Sequence, residues 1–286
     1  MRGPVAKVRA LARAGMPVRL RARRMLEGAR RANRDAELDM VDLLVGPADW
    51  AIDVGAHVGL YTAAMLEAVQ HVVAFEPDPW AALALRELFA DRVNLLEAAA
   101  SDVPGPAVIH VPRIRDDLAH ARATLEPSVA RGLQNDEVAV LRVRIDDLAL
   151  ERVGLIKVDV EGHEQSVLRG AEATLRRCQP ALIVESEVRH RADGPARVER
   201  YLGDLGYAGM FAYGEALLPF EAFRPDVHQR EDLRAAIEAG TGPDGEYANN
   251  FIFLPTHKAD LRAALERRLS AIRCAPAPRS ARARPG

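Results

Sequence analysis

The stretch AIDVGAHVGLYTAAM, residues 51–65, constrains the fold of this chain more than any other. Trp50, Ala51, Ile52 and Val54 make an apolar run of strand length, whereas Val58, Leu60, Tyr61, Ala64, Met65 and Leu66 recur at helical spacing. A tight turn of pattern Asp53-x-Gly55-x-x-x-Gly59 joins the two. Gly55 and Gly59 lack Cβ, so the backbone there can take positive φ and approach a ligand, with the free N–H groups of the next helix aimed at it. Turning the chain does not by itself call for an acid at the end of a buried strand, where an unpartnered charge is costly. The turn is therefore read as a ligand cradle.

From Trp50 onward the pattern alternates. Strands are expected over 51–54, 71–76, 93–98, 155–160, 181–185, 207–213 and 250–254. Helices are expected over 58–68, 79–90, 164–177, 196–205 and 225–239, with a shorter one over 36–45 closed by Gly46-Pro47. Such alternation predicts an α/β fold, a mostly parallel sheet covered by helices on both faces. Ligands then sit at the C-terminal strand ends. Residues 101–147 break the rhythm: two β-like runs, 107–111 and 138–145, flank a long segment rich in Arg and Asp. A segment of that kind is expected to be a lid or mobile loop that shapes the substrate side.

The 286 residues, 49% of them hydrophobic, suffice for one sizeable core. The expected organisation is a basic helical extension over 1–46, a main domain over 47–257, and a C-terminal helix with a disordered tail over 258–286. With 39 basic residues against 41 acidic, no global field points to nucleic acid. The extension differs, with eleven basic residues up to Arg34 against the single acid Glu27. Arg19, Arg23 and Arg30 with Leu20 and Leu26 suit an amphipathic helix in weak contact with an anionic membrane surface, or a solvated helix or partner contact. Cys178 and Cys274, far apart, support neither a disulfide framework nor a zinc site and fit a reducing compartment. No apolar stretch approaches the length of a membrane span, and arginines crowd the N-terminus too closely for a secretory core. A cytoplasmic protein is expected.

Three strand ends carry the chemistry. A dinucleotide fold would show G-x-G-x-x-G, whose middle glycine admits a pyrophosphate. Here the acid before the turn repels a pyrophosphate and suits the cationic end of S-adenosylmethionine. Glu76, at the end of VVAFEPDP and 23 residues after Asp53, is placed to accept hydrogen bonds from both ribose hydroxyls, while Asp78 and Pro79 read as a helix cap and first turn. In EAAASD, residues 97–102, small side chains leave room for a flat adenine, and Ser101 or Asp102 either bonds the base or marks a polar loop exit. LIKVDVEGHE, residues 155–164, places Lys157, Asp159 and Glu161 on one strand face by period two, followed by a glycine turn and His163.

Together these residues resemble the FkbM family of S-adenosylmethionine-dependent methyltransferases. The resemblance rests on AIDVGAHVGLYT, VVAFEPDP, IDDL, LIKVDVEGHEQSVLRGA and ANNFIFLP, in order, and covers roughly residues 50–254. The family's first motif has Asn where this chain has His57. The resemblance implies a Rossmann-like methyltransferase fold, seven strands with the last antiparallel, and O-methylation of a hydroxyl on a sugar, glycan or natural product. By position it implies that Asp53, Gly55, His57 and Gly59 flank the methionine end of the cofactor, that Glu76 is the ribose acid, and that Asp159, Glu161 and His163 face the acceptor.

Methyl transfer from a sulfonium needs orientation, and an alcohol acceptor also needs its proton removed. His163, whose side chain type titrates near neutrality, is the first choice as base and Asp159 the alternative. Asp159 with Glu185 offers hard oxygen ligands for Mg²⁺, but pairing of Glu185 with Lys157 is the simpler expectation, and no metal is assigned. Base N-methyltransferases carry Asn or Asp, two prolines and an aromatic residue where this chain has Asp159-Val160-Glu161-Gly162, so a small-molecule or glycan acceptor is expected rather than nucleic acid. A cofactor-binding protein without turnover and a nicotinamide-dependent oxidoreductase are the rival readings.

Overall fold

The computed structural model describes residues 17–32, 35–112, 123–129, 135–238 and 245–274. The first half of the basic arm, the polar middle of the expected lid and the expected disordered tail lie outside these residues.

An eight-stranded sheet forms the centre, in the order β10-β9-β11-β8-β7-β1-β2-β3. Its strands are β1 (Trp50–Val54), β2 (His71–Phe75), β3 (Val93–Leu96), β7 (Val153–Val158), β8 (Ala181–Glu185), β9 (Tyr207–Tyr213), β10 (Ala216–Pro219) and β11 (Asn250–Pro255). β3, β2, β1, β7 and β8 pair in parallel, and β11 runs antiparallel to both β8 and β9. All seven expected strands are present. The eighth, β10, folds back on β9 after a turn at Gly214, whose φ is +57°. β4 (Ala99–Ala100), β5 (Gly105–Pro112) and β6 (Asn135–Val143) build a second sheet. The two β-like runs thus pair as one antiparallel ladder, with Ile109 opposite Val138.

Alternation along the strands sends side chains to two cores. Ala51, Ala74, Leu155, Ile183 and Ile252 face one side, joined by Met65 of the helix Leu60–Ala68, by Met40 and Leu44, and by Leu265 and Leu269 of the helix Ala259–Cys274. Ile52, Phe75, Ile156, Val184 and Phe251 face the other, against Val167, Leu175 and Leu202. Each fully buried side chain of this size contributes about 1.5–3 kcal/mol.

Two expected helices are broken. The run over 164–177 divides into Glu164–Arg169 and Glu172–Cys178 at Gly170, where a Cβ would fall on the carbonyl of Ser101. The run over 225–239 divides into Pro225–His228 and Glu231–Glu238 at Gln229, whose buried amide donates to Ser186 O (2.8 Å) and Ala248 O (2.7 Å). In the basic extension, the helix Val18–Ala32 lies on the helix Pro79–Phe89. Its Ala22 is buried, Met25 packs beside Trp80, and the Arg21 guanidinium stands 5.7 Å from the Trp80 ring centre. Ala22, Met25 and Leu26 of that helix thus pack on the domain, while Leu20 is exposed. Among the described residues no helix is long and apolar enough to cross a membrane.

Candidate active site

The C-terminal ends of β1, β2 and β7 open on a cleft lined by Gly55, His57, Glu76, Asp159 and His163, with Ala98, Ala99 and Ala100 along one wall. The backbone at Gly55 has φ +79°, and a Cβ there would fall on the carbonyl oxygen of Asp159. At Gly59, φ +84°, a Cβ would meet the Phe89 ring. Both glycines therefore serve close packing of the turn against its own protein. His57 between them is also left-handed, φ +47°, and its N–H is turned toward β2.

There it meets Glu76. This side chain is 5% exposed, and its two oxygens accept from His57 N (2.7 Å) and Asp78 N (2.8 Å). Burial pushes its carboxyl up to about 8 against these bonds. Asp78 caps the next helix, accepting from Trp80 N (2.9 Å) and Ala81 N (3.0 Å), with Pro79 in the first turn. Asp53 is buried too, and its Oδ2 accepts from Thr62 Oγ1 at 2.5 Å. Burial raises Asp53 to about 6, against the Thr62 bond and the charge of Lys157, its register partner on β7.

A second cavity of about 150 Å³ lies beyond the Gly55 turn and is lined by Asp35, Asp53, Tyr61, Lys157, Asp159 and Glu185. Asp159 borders both spaces. Lys157, 1% exposed, places Nζ 3.8 Å from Asp159 Oδ2 and 5.0 Å from the Tyr61 ring centre. The ion pair it forms is with Asp159, while Glu185 lies in the same cavity within its field. Burial holds Asp159 above the usual carboxylate range, with the Lys157 ammonium pulling the other way. Among the described residues no group of three or more His, Cys, Asp or Glu side chains is disposed to hold a metal ion.

Period-two alternation does not carry Glu161 onto the face of Lys157 and Asp159. β7 ends at Val158, and Glu161 (φ +50°) and Gly162 (φ +100°) turn the chain. Glu161 instead pairs with His190 Nε2 at 2.6 Å and Arg189 at 3.7 Å. His163, just after that turn, lies between two partners. Its Nδ1 is 2.7 Å from Glu126 Oε1, and its Nε2 is 3.0 Å from Ser101 Oγ. The bond to His163 holds Glu126 below its ordinary range.

Ser101, expected beside an adenine, is 1% exposed and is taken up by His163 and by Asp102 Oδ1 at 3.3 Å. The flat wall belongs to Ala98–Ala100. Sequence reasoning missed Glu126, which lies in the irregular stretch read only as a lid. It is brought in by Thr124, which exchanges backbone hydrogen bonds with His110 of β5 (2.8 and 3.1 Å) and donates its hydroxyl to Glu161 O (2.8 Å).

A family model described as the methyltransferase FkbM domain matches residues 53–208. No curated protein matches the chain. Among solved structures, an FkbM methyltransferase from Methylobacillus flagellatus KT shares 16% identity at a TM-score of 0.45, covering 72% of this chain and 43% of that one. The chain thus spans less than half the length of that protein. A SAM-dependent methyltransferase from Aquifex aeolicus shares 12% identity over 82% of this chain and 96% of its own, with a TM-score of 0.42. An rRNA methylase from Streptococcus thermophilus shares 11% over 77% and 93%, also at 0.42.

Proposed function

From the premise that this chain belongs to the FkbM methyltransferase family, we propose that it is an S-adenosylmethionine-dependent O-methyltransferase acting on a hydroxyl of a sugar, glycan or natural product. The observation that carries the cofactor assignment is Glu76. When ionised, its carboxylate offers about four acceptor positions, of which two are spent on backbone N–H groups, so acceptor capacity remains for two ribose hydroxyls, whose donation favours the charged form that burial alone disfavours. The alanine wall suits a flat base, and Asp53 and the Gly55–Gly59 turn border the space for the methionine end.

When bound, the cofactor supplies a methyl group on a cationic sulfur, and transfer breaks that C–S bond with its electron pair going to sulfur. The chain's own residues hold the acceptor hydroxyl in line and take its proton, and orientation supplies much of the acceleration. His163 is the base in this reading. Asp159, at the junction of the two cavities, orients the hydroxyl and is the alternative base. Transfer of isotope-labelled methyl to a panel of sugar and polyketide hydroxyls tests the reading. It expects label in an acid-stable ether of one acceptor class. Cofactor binding with no transfer to any member would instead support a binding protein.

A further inference from the structure

Glu126, His163, Ser101 and Asp102 form an unbroken polar chain beside the cleft. The links are 2.7 Å from Glu126 Oε1 to His163 Nδ1, 3.0 Å from His163 Nε2 to Ser101 Oγ, and 3.3 Å from Ser101 Oγ to Asp102 Oδ1. An ionised carboxylate can only accept, so Nδ1 carries the proton facing Glu126. With that proton in place, the neutral form of the ring presents a lone pair at Nε2, where the Ser101 hydroxyl at 3.0 Å is placed to donate. Ser101 is buried, and its one hydrogen has two acceptors within reach, Nε2 and Asp102 Oδ1.

We propose that Glu126 is the positioning residue that fixes His163 in its Nδ1-protonated tautomer, and that Ser101 occupies the Nε2 lone pair until an acceptor hydroxyl takes its place. The inference rests on the methyl-transfer reading above. When the acceptor arrives, the Ser101 hydroxyl turns to Asp102 and Nε2 becomes available. The acceptor's O–H proton passes to Nε2 as its oxygen bonds the methyl carbon and the methyl's bond to sulfur breaks, its electron pair staying on sulfur. The ring becomes imidazolium, with Nδ1–H still on Glu126, whose charge balances it. Loss of the Nε2 proton to water restores the starting state.

The position of Glu126 is secured independently of His163. Thr124 anchors the segment to both β5 and the carbonyl of Glu161, and Thr124 Oγ1 accepts from Glu126 N at 3.0 Å. A carboxylate held from a separate segment against the distal nitrogen of a base is the usual means of setting its tautomer.

The test is nitrogen-15 NMR of the full chain labelled at histidine, with the His163 signals identified by their loss in His163→Gln. The wild-type ring is expected to show a protonated, pyrrole-type Nδ1 and a pyridine-type Nε2. Glu126→Ala should shift the proton toward Nε2, Glu126→Asp should restore it in part, and Ser101→Ala should leave Nδ1 protonated. With a confirmed acceptor, Glu126→Ala should lower kcat by up to about 10²-fold, the lower end of what a general base supplies, and change KM little. An Nε2-protonated ring in the wild type overturns the proposal, and that reading needs no variant to fold. An unchanged tautomer in folded Glu126→Ala, with its affinity for S-adenosylhomocysteine retained, overturns it equally. If the wild-type tautomer is as stated but S-adenosylhomocysteine does not bind, the methyl-transfer reading fails instead.

Discussion

Gly55 answers to its neighbours as much as to any ligand. An alanine there would hold a left-handed backbone and drive its Cβ onto the Asp159 carbonyl, prising apart β1 and β7 where the site is built. Backbone strain and overpacking together should cost about 2–4 kcal/mol. Gly55→Ala should therefore lower the thermal midpoint by about 4–16 °C, and an unchanged midpoint would show that the turn yields easily. For the base, His163→Ala should lower turnover by about two to four orders of magnitude with cofactor affinity nearly intact, and Asp159→Asn should lower it less. Near wild-type turnover in His163→Ala would transfer the base to Asp159. Asp53, Glu76, Asp159 and His163 were legible because each follows an apolar strand run, where a polar residue needs a reason. Glu126 was not legible, since it reaches His163 across 37 residues through a pairing that no local pattern encodes.

At the scale of elements, local chemistry fixed strand order of appearance but not where helices stop. Gly170 and Gln229 interrupt helical patterns for tertiary reasons, the first because the chain leaving β4 passes against it, the second because its side chain ties three loops. β10 was missed because four residues, two of them leucine, are too few to show alternation. The IDDL motif acquires a structural role. Asp146 accepts from Ala173 N (3.0 Å), Thr174 N (2.8 Å) and Thr174 Oγ1 (2.8 Å), which makes it a cap supplied from outside to the helix Glu172–Cys178. Asp146→Ala should cost about 1–2 kcal/mol in denaturant unfolding. Gln229→Ala removes bonds to Val188 N, Ser186 O and Ala248 O from a buried site and should cost about 2–4 kcal/mol. A smaller loss for Gln229→Ala than for Asp146→Ala would show that the loops it joins are held by other contacts.

For the whole molecule, burial raises Asp53 to about 6, Glu37 and Glu164 to about 7, and Glu76 to about 8, and it lifts Asp35, Asp159 and Glu185 as well. An acid with a raised folded pKa binds its proton more tightly when folded, so its contribution is complete below about pH 4 and is lost as pH rises through the folded value. Carboxylates held low, such as Asp42 by Arg268 and Glu126 by His163, act the other way and lose their contribution only as pH falls through the acid range. The thermal midpoint should therefore fall between pH 5.5 and pH 8.5, and a midpoint that rises across that window would contradict the buried-acid picture. Asp53 and Glu76 stand where the sheet brings the ends of β1 and β2 together, while Glu37 and Glu164 lie on flanking helical turns, and Glu76 is the member on which the cofactor assignment depends. The most direct measurement is calorimetric titration of S-adenosylhomocysteine into the wild type and Glu76→Ala. The account predicts one site per chain in the wild type. In the folded variant it predicts affinity about 10- to 150-fold weaker, equivalent to losing a charged hydrogen bond of about 1.5–3 kcal/mol. No binding to the wild type, or equal affinity in the two proteins, would contradict it.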